Sequence, residues 1–507
     1  MIYFKPTLAA LGAAILVAAC GGGGDGPLGS QNTAPDRGQL MQTPPPRITS
    51  MTAADFKALL TASGADGLNL LQLSTGSQTG TFPCGIDVQY IKYGTTGGNG
   101  EKTDASGALM VPTGGDNCTK ARPIVLYAHG TTITKSYNLA NLTDKTNAAY
   151  EQAALLAAVF AAQGYIVVAP NYAGYDSSSL SYHPYLNADQ QSKEMIDILA
   201  AAKTALPTLM NPATYSAKLF IAGYSEGGHV AMATQRAMEA AGTTVTAAAP
   251  MSGPYAMSSY TDAIFAGNVA LGATVFTPLL FASYEKSYPS LNITPSDIFE
   301  PTYATGIDTL LPGAYDFTSV LLSGKLPATA FFSSTSPGPG FDAYTPAGAF
   351  GFGSGNLIKN TARAAYLTDA ALNSTTPAYS LRIAAKTNDL RTGWAATGTP
   401  MKAPMLLCGG INDPTVFWAA NTLVMASLWA SYVPYQLVTV LDVDSPAGVP
   451  GADNPFFAAK YGFSQAKSAL LAATDATTVM TSYHGGLVPP FCNAAAKGYF
   501  DLFLSPT

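Results

Sequence analysis

The sequence is poor in charge, and this limits what it can bind. Of its 507 residues, 25 are Lys or Arg and 31 are Asp or Glu, so charged residues make up 11% of the chain and the net charge is -6. About a quarter is usual for soluble domains. Nucleic-acid binding needs Lys and Arg side chains to neutralise phosphates. Because this sequence has few of them, its composition argues against nucleic acid as a partner.

Other features are also missing from the sequence. It has no internal repeat of about 20–50 residues, so a solenoid or propeller is not expected. It has no Cys-x-x-Cys motif and no cluster of His and Cys residues, so we expect no metal site.

The first fifty residues have the composition of an export signal followed by a tether. Residues 1–20 contain one early cation and a short apolar run that ends in Leu16-Val17-Ala18-Ala19-Cys20, which resembles a bacterial lipobox with Cys20 as the lipidated residue. A secretory signal cut after a small residue is the alternative. Residues 21–50 are rich in Gly, Pro, Gln and Ser, which predicts a flexible tether.

These features predict a location for the protein. We expect export and lipid anchoring to a bacterial membrane, with release as an alternative. Because Gly21 rather than Asp follows Cys20, retention at an inner membrane is not signalled; in a cell with two membranes we expect the outer membrane or cell surface. The lipid is the expected membrane attachment.

Four further cysteines are expected to pair, because an exported chain meets an oxidising compartment. Cys84 precedes a strand-like stretch and Cys118 follows the next one, so an antiparallel hairpin over 87–111 would bring them together. This predicts the disulfides Cys84–Cys118 and Cys408–Cys492. Four unpaired buried thiols are the alternative.

A serine motif occupies the centre of the chain. Gly223-Tyr224-Ser225-Glu226-Gly227 follows a short apolar run and precedes a helical pattern. Strand, Gly-x-Ser-x-Gly and helix in this order predict a nucleophile elbow, a tight turn that exposes the Ser225 hydroxyl. Glycine is needed on both sides, since Cβ atoms there would collide with the neighbouring strand and helix. A glycine-rich turn without chemistry is the alternative.

Strands and helices alternate on both sides of this motif. Apolar strands are predicted at 123–128, 165–170, 218–221 and 246–250, with amphipathic helices between them, which indicates a mostly parallel sheet with helices on both faces. Ligands bind beyond the carboxyl ends of such strands. The alternation stops after Pro250 and resumes at 404–408.

The interruption predicts the domain organisation. We expect an α/β core of residues 51–253 and 401–507, with a cap of residues 254–400 inserted over the strand ends. Within the cap, residues 264–283 contain no charge. A transmembrane helix is one interpretation of that stretch, but its polar residues and Pro278 favour a buried or lid helix.

The chain has four histidines, and we expect one to act as the base for Ser225. His484 is predicted in a glycine-containing loop after the last strand, where it could swing over the strand ends. His129 lies in a His-Gly turn suited to an oxyanion hole, His183 precedes a proline in a loop, and His229 lies one turn beyond Ser225. We therefore predict His484 as the base.

The acid should follow a late strand. Asp413 directly follows the strand end at Cys408-Gly409-Gly410 and is the predicted acid, with Asp442 and Asp444 as rivals. A turn-capping aspartate before a proline is the alternative role for Asp413.

Chain order and oxyanion donors complete the predicted site. The order Ser225, Asp413, His484 is that of the α/β-hydrolases. For the oxyanion hole we predict the backbone N–H groups of Glu226, which follows the serine, and Thr131, in the His-Gly turn.

Several stretches together resemble the secretory lipase family, which includes fungal lipase A type enzymes and bacterial relatives. They are Asn171-Tyr172-Ala173-Gly174-Tyr175-Asp176, His183-Pro184-Tyr185-Leu186, the Gly-Tyr-Ser-x-Gly-Gly motif at 223–228 and the His-Gly pair at 129–130. The resemblance covers residues 80–505 apart from much of the cap. It implies an α/β-hydrolase with a cap, a Ser225–Asp413–His484 triad and hydrolysis of carboxylic esters.

The predicted activity is that of a serine esterase or lipase that works through an acyl-enzyme and needs no cofactor. The apolar cap favours a small-molecule, lipid or polyester ester as substrate. A serine peptidase on the same fold is one alternative, and a surface binding lipoprotein without catalysis is another.

Overall fold

A computed structural model gives the structure of the protein and describes residues 34–335, 350–394, 401–432, 437–451 and 453–504. The predicted export signal, Cys20 and the first part of the predicted tether lie outside these residues, so those assignments remain predictions.

The strands of the described chain form one large sheet and one small pair. In chain order they are β1 (Arg47–Met51), β2 (Gly85–Thr96), β3 (Lys102–Thr113), β4 (Arg122–Ala128), β5 (Ile166–Pro170), β6 (Tyr215–Tyr224), β7 (Ala247–Met251), β8 (Phe332–Ser333), β9 (Phe352–Gly353), β10 (Met405–Gly409) and β11 (Val438–Asp442). The nine-stranded sheet has the order β1-β2-β3-β5-β4-β6-β7-β10-β11, and β8 pairs with β9.

The large sheet is antiparallel at one edge and parallel elsewhere. β1, β2, β3 and β5 pair antiparallel, whereas β5, β4, β6, β7, β10 and β11 run parallel. Of the parallel strands, β4, β5, β7 and β10 are short apolar runs buried almost throughout, as expected of a sheet covered by helices. The edge strand β11 is mostly part-buried or exposed. β4, β6, β7 and β10 are consecutive in this order, so their carboxyl ends form a continuous rim.

Helices cover both faces of this sheet. The helices outside the interval between β7 and β10 are α1 (Ala53–Thr61), α2 (Gly64–Thr75), α3 (Asp116–Thr119), α4 (Tyr150–Val159), α5 (Ala188–Ala205), α6 (Glu226–Ala240), α14 (Thr422–Tyr432), α15 (Phe457–Ala473), α16 (Ala476–Ser482) and α17 (Val488–Asp501). Alternation along β10 separates the faces: Leu407 packs in a cluster with Met425 of α14, and Cys408 in the cluster that includes Cys492 of α17.

The interval between β7 and β10 folds mainly as helices. These are α7 (Met257–Ala266), α8 (Ala273–Ser287), α9 (Pro295–Ile298), α10 (Pro301–Ala304), α11 (Phe317–Leu322), α12 (Asn360–Leu372) and α13 (Ser380–Thr387). They bury an aromatic cluster around Phe281, Phe331 and Tyr366, and Tyr185 and Phe417 from outside the interval also belong to it. The charge-free stretch 264–283 spans the end of α7, a turn at Gly272 and part of α8. Among the described helices, none has the length and apolar character needed to cross a membrane.

The predicted tether does not extend to residue 50. Residues 34–46 run beside β2, where Gly38 N–H donates to Gly94 O at 2.9 Å and Met41 N–H to Lys92 O at 2.9 Å. β1 then pairs with β2 directly. This boundary was wrong because composition cannot reveal that β2 offers an unpaired edge, which a polar segment can cover with backbone hydrogen bonds.

Both predicted disulfides are present. Cys84 precedes β2 and bonds to Cys118 of α3, which follows β3, so this bridge closes the outer end of the hairpin. Cys408 of β10 bonds to Cys492 of α17, and both pairs have Cα atoms 5.7 Å apart. The second bridge therefore ties the parallel sheet to the last described helix.

The predicted loop at His484 is helical instead. Residues Tyr483–Leu487 form a π-helical turn that joins α16 directly to α17. Tyr483 and Leu487 are buried in the main core. Burial of these side chains offsets the poor helix propensity of Gly485 and Gly486, which had favoured a loop.

Candidate active site

The serine motif forms the tight turn that its spacing predicts. Ser225 lies between β6 and α6 with φ 60° and ψ -122°, a backbone conformation that non-glycine residues rarely adopt and that marks functional sites. A Cβ atom on Gly223 would collide with the carbonyl oxygen of Gly227, and one on Gly227 with that of Ala128. The two glycines are therefore required for this approach of strand and helix.

Ser225, His484 and Asp413 form a continuous hydrogen-bonded relay. The distance from His484 Nε2 to Ser225 Oγ is 2.7 Å, and from His484 Nδ1 to Asp413 Oδ2 it is 2.6 Å. A carboxylate only accepts, so Nδ1–H of a neutral ring donates to Asp413 and Nε2 accepts from the serine hydroxyl. Asp413 Oδ1 accepts the N–H groups of Thr415 at 2.9 Å and Val416 at 3.0 Å.

Two strand ends and one helical turn position the relay. Ser225 follows β6, Asp413 follows β10, and the π-helical turn places His484 above both. Tyr224 O–H donates to the carbonyl oxygen of His484 at 2.7 Å, which fixes the backbone of the histidine from the elbow itself. Burial raises the pKa of Tyr224 well above its usual value, so this hydroxyl stays a donor.

The two rival aspartates have other partners. Asp442 Oδ1 accepts backbone N–H groups of Ile411 and Asp444, and burial raises its pKa. Asp444 accepts hydrogen bonds from Lys467, Tyr483 and the side chain of Asn412. Among the residues that the structure describes, the carboxylate that contacts the His484 ring is therefore that of Asp413.

The two predicted oxyanion donors lie on the wall of the same cavity as Ser225. Glu226 is the first residue of α6, and Thr131 belongs to the turn after β4. This turn lies close to the elbow, since a Cβ atom on Gly130 would lie 3.3 Å from the carbonyl oxygen of Tyr224. Thr131 Oγ1 is hydrogen-bonded to Tyr185 Oη at 3.0 Å. Donation by these two N–H groups to an oxyanion stays a prediction.

The other three histidines are buried and engaged elsewhere. His129 faces the carbonyl oxygens of Gly130 and Asn171, and His229 Nδ1 faces that of Pro254 at 2.9 Å. Burial lowers the pKa of both His129 and His229 to about 4. His183 Nε2 lies 2.6 Å from Glu226 Oε1.

Ser225 lines an apolar cavity under the cap. It extends from Ser225 to side chains of α7, α8, α12 and α13. Its cap-side lining is aliphatic and aromatic, as at Ile264, Phe265, Ala273, Phe276, Leu280 and Ala385. Such a cavity suits a substrate with a sizeable apolar part.

Among the residues that the structure describes, no group of three or more His, Cys, Asp or Glu side chains could hold a metal ion. The relay itself requires only protein groups.

Sequence patterns missed three tyrosines around the relay. Tyr224 and Tyr483 hold the His484 segment, and Tyr260 of α7 donates to the carbonyl oxygen of Thr415, beside Asp413. Tyr224 lies inside the motif, but the partner of its hydroxyl is 260 residues away. Tyr260 and Tyr483 have no local signature.

Comparison with known proteins agrees with this architecture. Residues 152–274 match the model of the prolyl oligopeptidase family, a region that contains the elbow and less than half of the chain. A comparison with curated protein sequences finds no match.

Solved structures match over most of the chain. The ligand-bound rice cell wall degrading esterase LipA from Xanthomonas oryzae is 24% identical, with a TM-score of 0.62 over 88% of this chain and 98% of that one. A putative hydrolase from Legionella pneumophila is 20% identical, with a TM-score of 0.62 over 92% and 98%.

Candida antarctica lipase A is 12% identical, with a TM-score of 0.48 over 80% of this chain and 76% of that one. Membership in the secretory lipase family stays a prediction. The parallel sheet flanked by helices and the matches to LipA and to the Legionella pneumophila hydrolase identify the fold: the chain has the α/β-hydrolase fold.

Proposed function

We propose that the protein is a serine hydrolase of carboxylic esters, an esterase or lipase. The relay from Ser225 through His484 to Asp413 supports this most directly, because a hydroxyl hydrogen-bonded to a buried and oriented imidazole is an activated nucleophile. Ser225 lines an apolar cavity, which can hold an ester beside that nucleophile.

The proposed reaction follows from the relay geometry. His484 Nε2 accepts the proton of Ser225 as Oγ attacks the ester carbonyl, and Asp413 stabilises the resulting imidazolium. The N–H groups of Glu226 and Thr131 stabilise the oxyanion. His484 then protonates the leaving alcohol, and water, activated by the same imidazole, releases the acid from the acyl-enzyme. None of these steps needs a cofactor.

The cavity supports a substrate with an apolar acyl or aryl portion. Each buried methylene contributes about 0.8 kcal/mol, so a lining of aliphatic and aromatic side chains favours longer acyl chains over acetate. Lipid and polyester esters both meet this requirement. LipA from Xanthomonas oryzae, with a similar fold, is described as a rice cell wall degrading esterase.

A peptidase is the second candidate, and the match of residues 152–274 to the prolyl oligopeptidase family favours it. The matched region contains the nucleophile but neither Asp413 nor His484. An apolar cavity also offers little to a peptide backbone, whose polar groups need hydrogen-bonding partners when buried. The ester substrate is therefore preferred.

We further propose that Cys20 is lipidated and that this lipid holds the enzyme on the cell surface. The support is the sequence Leu16-Val17-Ala18-Ala19-Cys20 alone. Intact-mass analysis of the native protein tests it. A mature chain that begins at another residue would contradict it.

Substrate assays decide between the candidates. We expect turnover of p-nitrophenyl esters, covalent labelling of Ser225 by a fluorophosphonate and no cleavage of peptide anilides. Ser225→Ala and His484→Ala should each lower kcat by about 10⁴ or more. Their thermal stability should stay close to that of the wild type. Absence of both turnover and labelling would contradict the proposal and favour a binding protein.

A further inference from the structure

The turn that contains Thr131 is held by hydrogen bonds from the loop that follows β5. Tyr172 O–H donates to the carbonyl oxygen of His129 at 3.0 Å, and Tyr175 O–H donates to that of Thr132. These two carbonyls lie on either side of Gly130 and Thr131. The two tyrosines therefore fix the peptide planes around one predicted oxyanion donor.

His183 connects this loop to the other predicted donor. Its Nε2 lies 2.6 Å from Glu226 Oε1, and its Nδ1 lies 3.0 Å from the carbonyl oxygen of Ala173. Its ring stacks on Tyr172 with 5.3 Å between centroids and also packs against Tyr175 at 4.8 Å. The side chains of His183 and Glu226 are completely buried.

The side chain of Glu226 is fixed from two sides. Its Oε1 lies 2.6 Å from His183 Nε2 and also accepts a hydrogen bond from Gln191 Nε2 at 2.6 Å. Gln191 belongs to α5, so the residue that carries one predicted donor is fixed by both the loop and this helix.

We propose that His183 is the positioning residue of the oxyanion hole. It fixes the segment of Glu226 by a direct hydrogen bond and the segment of Thr131 through the tyrosines on which it packs. This role rests on the proposed ester hydrolysis. It also gives a physical purpose to the Asn171–Asp176 and His183–Leu186 stretches, which the triad does not use.

His183→Phe tests the proposal, because phenylalanine retains the ring packing and removes both hydrogen bonds. Removal of one oxyanion donor costs about 10²–10³ in kcat, so displacement of two should lower kcat by at least about 10². KM should change little, since the ester ground state does not need these donors. Tyr182→Phe is the matched control: its hydroxyl contacts Glu101 and Gly98, away from both donors, and kcat should be unchanged.

A transition-state analogue separates positioning from general damage. A trifluoromethyl ketone forms a hemiketal with the serine and places an oxyanion in the hole. In His183→Phe, the affinity for this ketone should fall by the same factor as kcat/KM. The concentration of active enzyme is determined by titrating the reactive serine with a phosphonate. His183→Gln, which retains an N–H donor towards Glu226, should recover part of both losses.

Two results would overturn the proposal. The first is a titrated His183→Phe enzyme with wild-type kcat and inhibitor affinity. The second is a loss of kcat with unchanged affinity for the ketone. If His183→Phe does not fold, Tyr175→Phe applies the same test, because it removes only the hydroxyl that holds Thr132. A wild-type protein that neither hydrolyses esters nor reacts with phosphonate would instead refute the proposed function.

Discussion

Tyr483 donates its hydroxyl hydrogen to Asp444 Oδ2 at 2.7 Å, and this contact joins the neighbours of the proposed base and acid. Asp444 Oδ2 also accepts from Asn412 Nδ2 at 2.7 Å, and Lys467 Nζ lies 2.8 Å from the same carboxylate. Tyr483 precedes His484, and Asn412 precedes Asp413. One carboxylate therefore sets the spacing of the two segments that must meet at Ser225.

Tyr483→Phe should lower kcat by about tenfold while KM stays close to the wild-type value, because a relay held less rigidly spends less time in reactive geometry. The ring packing against Phe463 remains. Because the largely buried carboxylate of Asp444 loses one partner, the substitution should also lower the free energy of unfolding by about 1–3 kcal/mol. Ester kinetics and urea unfolding measure the two effects.

Tyr461→Phe provides the control for that prediction, since Tyr461 lies on the same α15 as Lys467 and is 50% exposed. It should leave both quantities unchanged. A fully active Tyr483→Phe enzyme would show that the Asp444 contact has no part in positioning the relay.

Loss of the Cys408–Cys492 disulfide should reduce activity before the global fold is lost. The bond joins β10, which leads to Asp413, to α17, which continues from the turn of His484. The Cys408→Ala/Cys492→Ala variant should lose about 2–5 kcal/mol of stability. On heating, this variant should lose ester hydrolysis at a lower temperature than the one at which circular dichroism shows unfolding.

Cys84→Ala/Cys118→Ala is the matched comparison for the disulfides. This bridge closes the β2–β3 hairpin at the antiparallel edge of the sheet, far along the strand order from β6 and β10. Its removal should lower stability while activity and unfolding decline together. If both variants lost activity equally far below their unfolding temperatures, a specific role for Cys408–Cys492 would be contradicted.

The elbow could be predicted from the sequence because its requirements are local. Gly223 and Gly227 answer steric demands within a few residues of Ser225, and a buried strand and an amphipathic helix flank them. The pairing of Cys84 with Cys118 also followed from one hairpin. Each prediction depended on chain geometry over a short distance.

The errors arose where distant packing decides local conformation. Gly485 and Gly486 favoured a loop at His484, but burial of Tyr483 and Leu487 stabilises a helical turn. Residues 34–50 have the composition of a tether, but they pair with the free edge of β2. No local pattern could have indicated that Tyr483 meets Asp444.

Ala273→Phe should shorten the preferred acyl chain. Ala273 begins α8 and lines the cavity that opens at Ser225. In the wild type, kcat/KM should rise by about fourfold per methylene until the cavity is full, since each buried methylene contributes about 0.8 kcal/mol. The phenyl ring of the variant should end this rise at a shorter acyl chain. The value of kcat/KM for the acetate ester should not change.

A series of p-nitrophenyl esters with acyl chains of about two to sixteen carbons measures this shift. Leu322→Phe is the control, because Leu322 is 83% exposed on α11 and should leave the chain-length profile unchanged. An identical profile for Ala273→Phe and the wild type would show that the acyl chain binds outside this cavity.

Stability should depend on pH through Glu194 of α5. Its side chain is completely buried, and Oε1 accepts the N–H of Ala173 at 2.7 Å and the hydroxyl of Tyr93 at 3.1 Å. Burial raises the pKa of Glu194 from the usual 4.5 to about 7. Because the folded pKa lies above the unfolded one, the folded state binds the proton more tightly, and this stabilisation is lost as pH rises from 4.5 to about 7.

Glu194→Gln cannot lose a proton, so it isolates this effect. The free energy of unfolding of the wild type, relative to that of Glu194→Gln, should fall by roughly 3 kcal/mol between these pH values and then stay constant. Urea unfolding from pH 4 to about 8.5 measures the difference across the window set by the two pKa values. Glu151→Gln, at an exposed position on α4, should show no such trend. A difference between wild type and Glu194→Gln that is flat with pH would mean that Glu194 is ionised in the folded protein, with its charge stabilised by the donors around it.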